Sequence, residues 1–397
     1  FGGTSVGTIE KIKKVTDIII EHKKKKNKVI VVSSAMSGVT NDLIKKSKQI
    51  SNNFIDSEYD VLVSSGEQVA CSLIAGRLNH KGFKSRSWLG WQIPIFTNGP
   101  YTNSRIQQVN KNKLLRFLKE GGIPIITGFQ GVNMNERVTT IGRGGSDASA
   151  IMIAKSFKAQ RCIIYTDVEG VYTTDPNKLK KAKKIKVISY EEMLEMASLG
   201  AKVMQPVSIQ DARLNRINIE VKSSFIKKPG TLITKRTNLN NNRIITGISS
   251  THNDAKVTLV GVKDRPGVAA SVFKPLSINS INVDMVVQNI SPNGKETDLT
   301  FTIKAEDLNK TKKIIQENKS IKFKKVLFQK GVSKISIIGV GMITTPGVTF
   351  RMFQALANKK INIQVISTSE IKISVLINKK DAKKALITLH KEFKLQE

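Results

Sequence analysis

Cysteine and histidine are scarce in this chain, and acidic residues are outnumbered by basic ones; each imbalance bears on a class of protein. Two cysteines, Cys71 and Cys162, in 397 residues are too few and too far apart for a disulfide framework, and neither has a Cys-x-x-Cys partner. A reducing, cytoplasmic setting is therefore expected. No run approaches the roughly 18 to 20 apolar residues that a membrane span needs, and the opening lacks a charged-then-apolar signal pattern, so no membrane partner is expected. The four histidines, His22, His80, His252 and His390, are isolated and suggest packing or surface positions rather than metal ligands. Acidic residues number 31 against 65 Lys and Arg, a formal charge of +34. Such a surplus invites a nucleic-acid reading. Only 13 of the basic residues are Arg, the side chain that reads phosphates and base edges in a bidentate way, and no basic stripe is interleaved with aromatics. A solvated lysine surface explains the charge, and no nucleic-acid partner is expected. The run Lys23 to Lys26 suits the end of a helix, where cations oppose the negative end of the dipole.

Two phosphate-binding motifs are missing as well. The one Gly-Lys pair, Gly294-Lys295, is followed by Glu296, so there is no P-loop. Gly339-Val340-Gly341 lacks the third glycine of a dinucleotide fingerprint.

What is present, from residue 1 to about 235, is alternation of strand and helix. Ile9, Ile12, Val15 and Ile19 recur at helical spacing after a glycine-rich opening, and Val29 to Val32 form a short β-branched run. The rhythm continues with a helix over Glu67 to Asn79, extended chain at Ile93 to Phe96, a helix near Lys111 to Lys119 and the run Ile123 to Ile126. After Ser146 come another helix, the strand Cys162 to Tyr165, and a helix opened by Ser189 with Glu192 three residues later, a capping box. Such alternation predicts a mostly parallel sheet with helices on both faces.

A polar, Asn-rich stretch at Thr237 to Arg243 reads as a linker, and beyond it lies an internal repeat. Pro266, Gly267, Val268, Phe273, Leu276, Ile281 and Asn282 recur as Pro346, Gly347, Val348, Phe353, Leu356, Ile361 and Asn362, all at an offset of 80. Upstream the offset falls to 78, pairing Val257 and Gly261 with Ile335 and Gly339, so the second copy carries two extra loop residues. Each copy reads strand, Pro-Gly turn, helix, strand, strand, helix. The first adds a last strand near Phe323 to Phe328; the second ends without one. The apolar run Ile244 to Ile248 is expected to fill that place, making the second module discontinuous. Pro275 falls late in the first module's helix, where an interior proline costs about 3 kcal/mol, so a kink or early stop is expected there.

Three strand-loop-helix junctions could carry phosphate chemistry: Phe1-Gly2-Gly3-Thr4-Ser5-Val6-Gly7, Ser33 to Thr40, and Gly142-Arg143-Gly144-Gly145-Ser146-Asp147. Adjacent glycines let backbone N–H groups approach a phosphate, and the helix N-terminus adds positive dipole. Such loops converge at the carboxyl edge of a parallel sheet. Arg143 suits a carboxylate clamp because its planar fork matches two oxygens; the plain alternative is a surface arginine. Asp147 reads either as a helix cap or as a residue orienting reacting groups. Glu67, taken as lying in its helix's first turn, either complements the dipole or binds a substrate ammonium. The segment Tyr165 to Pro176 leaves a strand for a polar, aromatic loop, which could hold a purine or be a plain turn.

Together, Phe1-Gly-Gly-Thr-Ser-Val-Gly, Ser33-Ser-Ala-Met-Ser-Gly-Val-Thr-Asn-Asp, Ser65-Gly-Glu-Gln, Ile126-Thr-Gly-Phe-Gln-Gly, Thr140-Ile-Gly-Arg-Gly-Gly-Ser-Asp and Tyr165-Thr-Asp-Val-Glu-Gly-Val-Tyr resemble the aspartate kinases of the amino acid kinase family. Val286-Val-Gln-Asn and Ile366-Ser-Thr-Ser-Glu-Ile-Lys-Ile-Ser-Val extend the likeness to the ACT modules of the monofunctional bacterial enzymes. The resemblance implies a three-layer αβα sandwich followed by two βαββαβ ACT modules: 1–235 catalytic, 236–246 linker, 256–330 first ACT, and 244–250 plus 331–397 second ACT.

It further implies transfer of the γ-phosphate of ATP to the β-carboxylate of L-aspartate, giving 4-phospho-L-aspartate, with Mg²⁺, as the first step toward lysine, threonine and methionine. Lysine, threonine or both would act as feedback effectors. Aspartate would lie among Ser34, Thr40, Glu67, Phe129, Arg143 and Ser146. ATP would contact Gly2, Gly3, Thr4, Ser5, Thr166, Asp167, Tyr172, Lys178 and Lys202, with Asp147, Gly2 and Gly3 in catalysis. The effector would contact Asp264, Gly267, Asn282, Asp284, Gln288 and Asn362. A homo-oligomer, or a catalytic and regulatory hetero-oligomer, is implied through the ACT modules. The family has a lysine immediately before Phe1, so a chain starting at Phe1 is expected to be nearly inactive. It often has Arg after the Asp-Pro of the nucleotide loop, where Asn177 and Lys178 stand here. Another acceptor, or an inactive amino-acid sensor on the same fold, are the alternative readings.

Overall fold

The computed structural model of the protein describes residues 1–142, 144–199, 203–235, 243–251, 253–290, 296–318 and 321–397. Arg143, Lys202, His252, Gly294-Lys295 and the linker residues 236–242 lie outside the described residues. The chain divides into two compact units, Phe1–Val171 with Lys184–Asn240, and Tyr172–Lys183 with Asn241–Glu397.

In the first unit, strands Val31–Ser33, Ile123–Thr127 and Ser85–Trp88 run parallel, with Val31 opposite Ile125 and Ser85 opposite Ile123. The near-continuous apolar sequence of Ile123–Thr127, the central strand, follows from burial on both faces. Val31 and Ile125 face the helices Ile9–Lys24 and Asp56–His80, packing with Ile12, Val15, Ile74 and Leu78. Val32 and Ile126 face the other way, against Leu114 of Asn112–Lys119 and Met152 and Ile153 of Gly145–Ser156. Ile125 and Ile126 are fully buried, each contributing about 1.5 to 3 kcal/mol. A second sheet orders Cys162–Thr166, Ile219–Ser223, Thr231–Thr234 and Val187–Ser189, with two parallel pairings and one antiparallel. A third joins Arg105–Val109, Ile95–Asn98, Gln130–Val132 and Val138–Thr140. Phe1 and Gly2 run between the first two sheets. The Phe1 nitrogen donates to the Val32 carbonyl, Ser34 N–H to the Phe1 carbonyl, and Gly2 N–H to the Tyr165 carbonyl.

Two sequence expectations change here. The helix expected from Glu67 begins eleven residues earlier, at Asp56, so Glu67 sits mid-helix and gains nothing from the N-terminal dipole. Ser64 and Ser65, which resemble a start signal, return their hydroxyls to the carbonyls of Val61 and Leu62 one turn back, a way for serine to persist in a helix interior. The expected helix after Ser146 starts at Gly145 behind the cap residue Gly144, which places Asp147 in the first turn and not at the cap. The capping box is present in both directions between Ser189 and Glu192.

The second unit is built on one long strand, Lys325–Ile338. Its first half pairs with Asp254–Lys263, as in Val257 opposite Phe328, and its second half with Lys372–Asn378, as in Ile335 opposite Val375. The full path is Asp284–Ile290, Glu296–Lys304, Asp254–Lys263, Lys325–Ile338, Lys372–Asn378, Val365–Ser369. Gly247–Ser250 pairs antiparallel with Ile335–Ile338, within the second repeat copy and beside the run Ile244 to Ile248 expected for it. Two apolar cores flank this sheet. One gathers Val257, Val272, Leu276 and Phe301; the other gathers Ile248, Ile335, Met352 and Leu389. Gly267 and Gly347 cap equivalent helices, Val268–Ile278 and Val348–Ala357, in the same left-handed conformation, φ 86° and 85°.

The helix Val268–Ile278 runs through Leu276 without a break, against the expected early stop. Pro275 forgoes one N–H, yet Val272 and Leu276 are fully buried on the same stripe, and burial of those side chains outweighs a single lost bond near the helix end. The segment Tyr172–Lys183, expected within a continuous catalytic domain, groups with the second unit. Ile248 N–H donates to the Thr173 carbonyl at 2.7 Å, and Leu179 packs on the Ile248–Ile335 core.

Candidate active site

The glycine loop Gly2–Ser5 is pinned from both sides. A Cβ on Gly3 would lie 2.9 Å from the Ala35 carbonyl oxygen, so only glycine allows this loop to seat on the next one, Ser34–Ser37. Ser5 is fully buried; its hydroxyl donates to the Tyr165 carbonyl at 3.2 Å and accepts from Ser224 Oγ at 2.6 Å. The Ser5 hydroxyl ties the loop to the end of Cys162–Thr166, leaving its backbone to face the nucleotide expected there. Thr4 beside it is exposed. Thr166 Oγ1 lies 3.1 Å from Asp167 Oδ1, with Asp167 exposed.

Glu67 enters this cluster from below. The Ala35 N–H donates to its Oε1 at 3.1 Å, while Oε2 is buried with no partner. Burial pushes the carboxyl up to about 7, against the pull of the Ala35 N–H. A buried carboxyl with one free oxygen is a ready acceptor for a cation. Gly66 brings the helix close enough to do this, because a Cβ there would stand 2.9 Å from Ala35 Cβ.

The third junction meets the same edge. A Cβ on Gly128 would fall 2.6 Å from Ser146 Oγ, so the end of Ile123–Thr127 lies directly on the first turn of Gly145–Ser156. Phe129, at φ 65°, sends its carbonyl to the Ile141 N–H at 3.0 Å. Asp147 is half-buried and lines a groove of about 970 Å³ together with Phe1, Val32, Ser146, Cys162 and Tyr165. Burial raises its carboxyl to about 6.

Gly2, Gly3, Ser34, Glu67, Phe129, Ser146, Asp147, Thr166 and Asp167 are therefore carried by neighbouring segments of one unit. Thr40 is half-buried in the first turn of Val39–Ile50. Tyr172 and Lys178 fall in the other unit. Lys178, expected at the nucleotide, gives its ammonium to the Ser250 carbonyl at 3.0 Å and the Ser250 hydroxyl at 3.2 Å. Sequence reasoning passed over Asp60, fully buried on the same helix as Glu67. Its signal was a carboxylate flanked directly by Tyr59, Val61 and Leu62.

Of the expected effector residues, Asp264, Gly267 and Gln288 line one open cavity of about 610 Å³ at the start of Val268–Ile278, with Arg265 and Pro266. Asn282 and Asn362 are exposed. Asp284 pairs with the buried Lys334. Burial raises the Asp284 carboxyl, but the Lys334 ammonium outweighs this and holds it below the usual range.

The family model for the amino acid kinase family matches residues 1–223, and that for the ACT domain matches 257–318 and 335–393. The aspartokinase of Geobacillus stearothermophilus is 42% identical over 397 residues, covering 100% of this chain and 97% of that protein. The chain belongs to the aspartokinase family. The aspartokinase of Helicobacter pylori, 42% identical, agrees across 100% of this chain and 98% of its own. Among solved structures, Escherichia coli aspartokinase III in complex with lysine and aspartate superposes with a TM-score of 0.82 at 25% identity, covering 99% of this chain and 98% of that one. The same enzyme with aspartate and ADP gives 0.79. The first unit thus has the amino acid kinase fold of a phosphotransferase, and the two repeat copies are ACT modules of the aspartokinase family. Among the described residues no helix is long and apolar enough to cross a membrane.

Proposed function

We propose that this chain transfers the γ-phosphoryl of ATP to the β-carboxylate of L-aspartate, releasing ADP and forming an acyl phosphate. A carboxylate oxygen attacks the terminal phosphorus as the bond to the β-phosphate oxygen breaks, a reaction governed by positioning and charge. The observation that carries the reading is the buried, unpartnered Glu67 Oε2 beside the Ser34–Ser37 and Gly2–Ser5 loops. Glu67 as carboxylate holds the substrate ammonium. Ser34, Thr40, Phe129 and Ser146 surround the substrate, with Arg143 on its α-carboxylate. The backbone of Gly2 and Gly3 faces the phosphates, and Thr166 and Asp167 address the nucleoside. Asp147, in the first turn of its helix, orients the reacting oxygens.

Among the described residues no three His, Cys, Asp or Glu side chains form a metal-holding group. That donor set fits Mg²⁺ carried on the nucleotide's phosphates, since this ion keeps waters and needs only one or two carboxylates. Asp147 is the carboxylate to hand, and the ion would neutralise phosphate charge.

Residues 1–235 form the catalytic portion, apart from Tyr172–Lys183 which group with the other unit, 256–330 the first ACT module, and 244–250 with 331–397 the second. The pairing of Gly247–Ser250 with Ile335–Ile338 supports the discontinuous second module. Lysine, threonine or both would inhibit from the cavity of Asp264, Gly267 and Gln288, where a helix N-terminus suits a carboxylate. The test is an ATP-dependent acyl-hydroxamate assay on the gene product, including whatever residues the gene places before Phe1, with aspartate against glutamate and with lysine or threonine added. Turnover of glutamate and not aspartate would overturn the acceptor; no turnover of either would favour an amino-acid sensor.

A further inference from the structure

Two helical turns before Glu67, on the same helix, Asp60 is fully buried. Its carboxylate accepts from the Thr102 N–H at 3.1 and 3.0 Å, one contact to each oxygen, from the Thr140 N–H at 2.8 Å and from the Thr140 hydroxyl at 2.6 Å. Hydrogen bonds to an ionised acceptor are the strong ones, and here every partner belongs to a segment far away in sequence.

Both segments lead into the acceptor side of the site. Thr102 holds φ 66°, a region that β-branched residues enter at a cost, so its turn persists because the forked contact to Asp60 and its surroundings fix it. That turn bears on Gly142, where an added Cβ would stand 3.0 Å from Asn103 Oδ1 and 3.3 Å from the Thr102 carbonyl oxygen. Thr140 is joined to the same turn, because the Ser104 N–H donates to the Thr140 carbonyl at 2.9 Å. The next residue, Ile141, donates its N–H to the Phe129 carbonyl at 3.0 Å. One carboxylate therefore locks the strand that delivers Gly142 and the turn against which Gly142 rests. A second strut, Gln130 Nε2 to the Ser64 carbonyl at 3.0 Å, fixes the neighbouring strand to the same helix.

We propose that Asp60 is a positioning residue for the acceptor substrate: through Thr102 and Thr140 it sets the backbone path of the strand that leads to Gly142 and of the turn on which Gly142 rests. The inference rests on the kinase reading above and goes beyond it. Asp60 touches no substrate, and its effect falls on the acceptor and not on the nucleotide, whose loops Gly2–Ser5 and Tyr165–Asp167 it does not contact.

The experiment compares wild type, Asp60→Asn and Thr140→Val in the full gene product. Asp60→Asn keeps shape but turns an N–H toward an N–H; Thr140→Val removes one hydroxyl bond and leaves the buried charge. Expected for Asp60→Asn is an aspartate KM raised tenfold or more with the ATP KM within twofold, and for Thr140→Val a rise of roughly threefold in aspartate KM alone. A merely structural carboxylate would lower the melting temperature and leave the ratio of the two KM values unchanged, which overturns the proposal. Should Asp60→Asn fail to fold, an unaltered aspartate KM in Thr140→Val overturns it equally. If wild type takes glutamate in place of aspartate, the acceptor reading fails, and the Asp60 proposal is decided by the same ratio measured with glutamate. If wild type phosphorylates neither, both fall.

Discussion

Thr173 Oγ1 lies 3.0 Å from His390 Nε2, and both side chains are buried. Thr173 stands six residues after Asp167, and His390 belongs to Ala382–Glu392, the last helix of the second ACT module. Thr173 is thus held inside the regulatory unit, in the segment Tyr172–Lys183 that interrupts the sequence of the catalytic unit. Breaking the grip should loosen the regulatory response more than the chemistry. Thr173→Val is expected to leave aspartate KM unchanged and to raise the effector concentration for half-inhibition by threefold or more. Inhibition curves with lysine and threonine at fixed ATP check this, and an unshifted curve would count against the coupling.

Lys178 belongs to the same grip. Its ammonium bonds to Ser250, so Lys178→Ala should cost about 1 kcal/mol of stability, the usual worth of such a bond, and move the ATP KM by less than threefold. A phosphate contact would instead make the ATP KM rise by an order of magnitude. Initial-rate kinetics over an ATP series separates the two.

This residue also shows where the sequence was legible. The alternation of Val31 and Val32, or of Ile125 and Ile126, between two apolar layers follows from a short apolar run bounded by turns, and the repeat at a fixed offset gives the ACT modules almost directly. The partners of long side chains leave no such periodic trace. Lys178 follows the Asp-Pro of a nucleotide-type loop, yet its reach is decided by a strand more than seventy residues later. Glu67 was visible as a residue but not in its setting, because Ser64-Ser65-Gly66 imitates a helix start while tertiary packing carries the helix through it. Asp60 stayed hidden for the same reason.

Glu67 gives a pH signature with a definite sign. Its carboxyl stands at about 7 in the folded protein against an ordinary 4.5. Between those values the native state keeps a proton that the unfolded chain releases, so this residue's contribution is full below 4.5 and is lost as pH rises through 7. The loss is on the order of 3 kcal/mol. Glu67→Gln should flatten the fall in melting temperature between pH 5 and 8. For the substrate the sign is opposite: kcat/KM for aspartate should rise through pH 7 as the carboxylate forms, and in Glu67→Gln it should be low and lack that rise. A wild-type profile flat from pH 6 to 8 would remove Glu67 as the ammonium site.

Gly66 sets two effects against each other. Alanine in a helix interior is favoured over glycine by about 1 kcal/mol. At this position, however, the new Cβ meets Ala35 Cβ at 2.9 Å and Val39 Cγ1 at 3.2 Å, and overpacking costs about 1 to 3 kcal/mol. The clash should win, because Ala35 is backbone-bound to Glu67 and cannot retreat without breaking that bond. Gly66→Ala is expected to lose stability on balance and to raise aspartate KM at least fivefold by displacing the Ser34–Ser37 loop, as read by thermal melts and aspartate titration.

Pro275 supplies the reverse case. The helix around it is unbroken, so a residue with an N–H could restore the bond to the Ser271 carbonyl without any change of backbone. The full interior penalty of about 3 kcal/mol overstates the gain, since Pro275 lies only four residues before the cap Asn279, and a stabilisation of about 1 kcal/mol is expected from Pro275→Ala. The helix starts at the cavity lined by Gly267 and Asp264, and a firmer helix holds its N-terminal N–H groups in place for an effector carboxylate. Calorimetry should therefore show a higher melting temperature in the variant, and the inhibition curve should steepen or move to lower effector concentration with basal turnover unchanged. A variant less stable than wild type would mean that the proline ring, half-buried beside Leu276, is worth more to the module's core than the hydrogen bond it displaces.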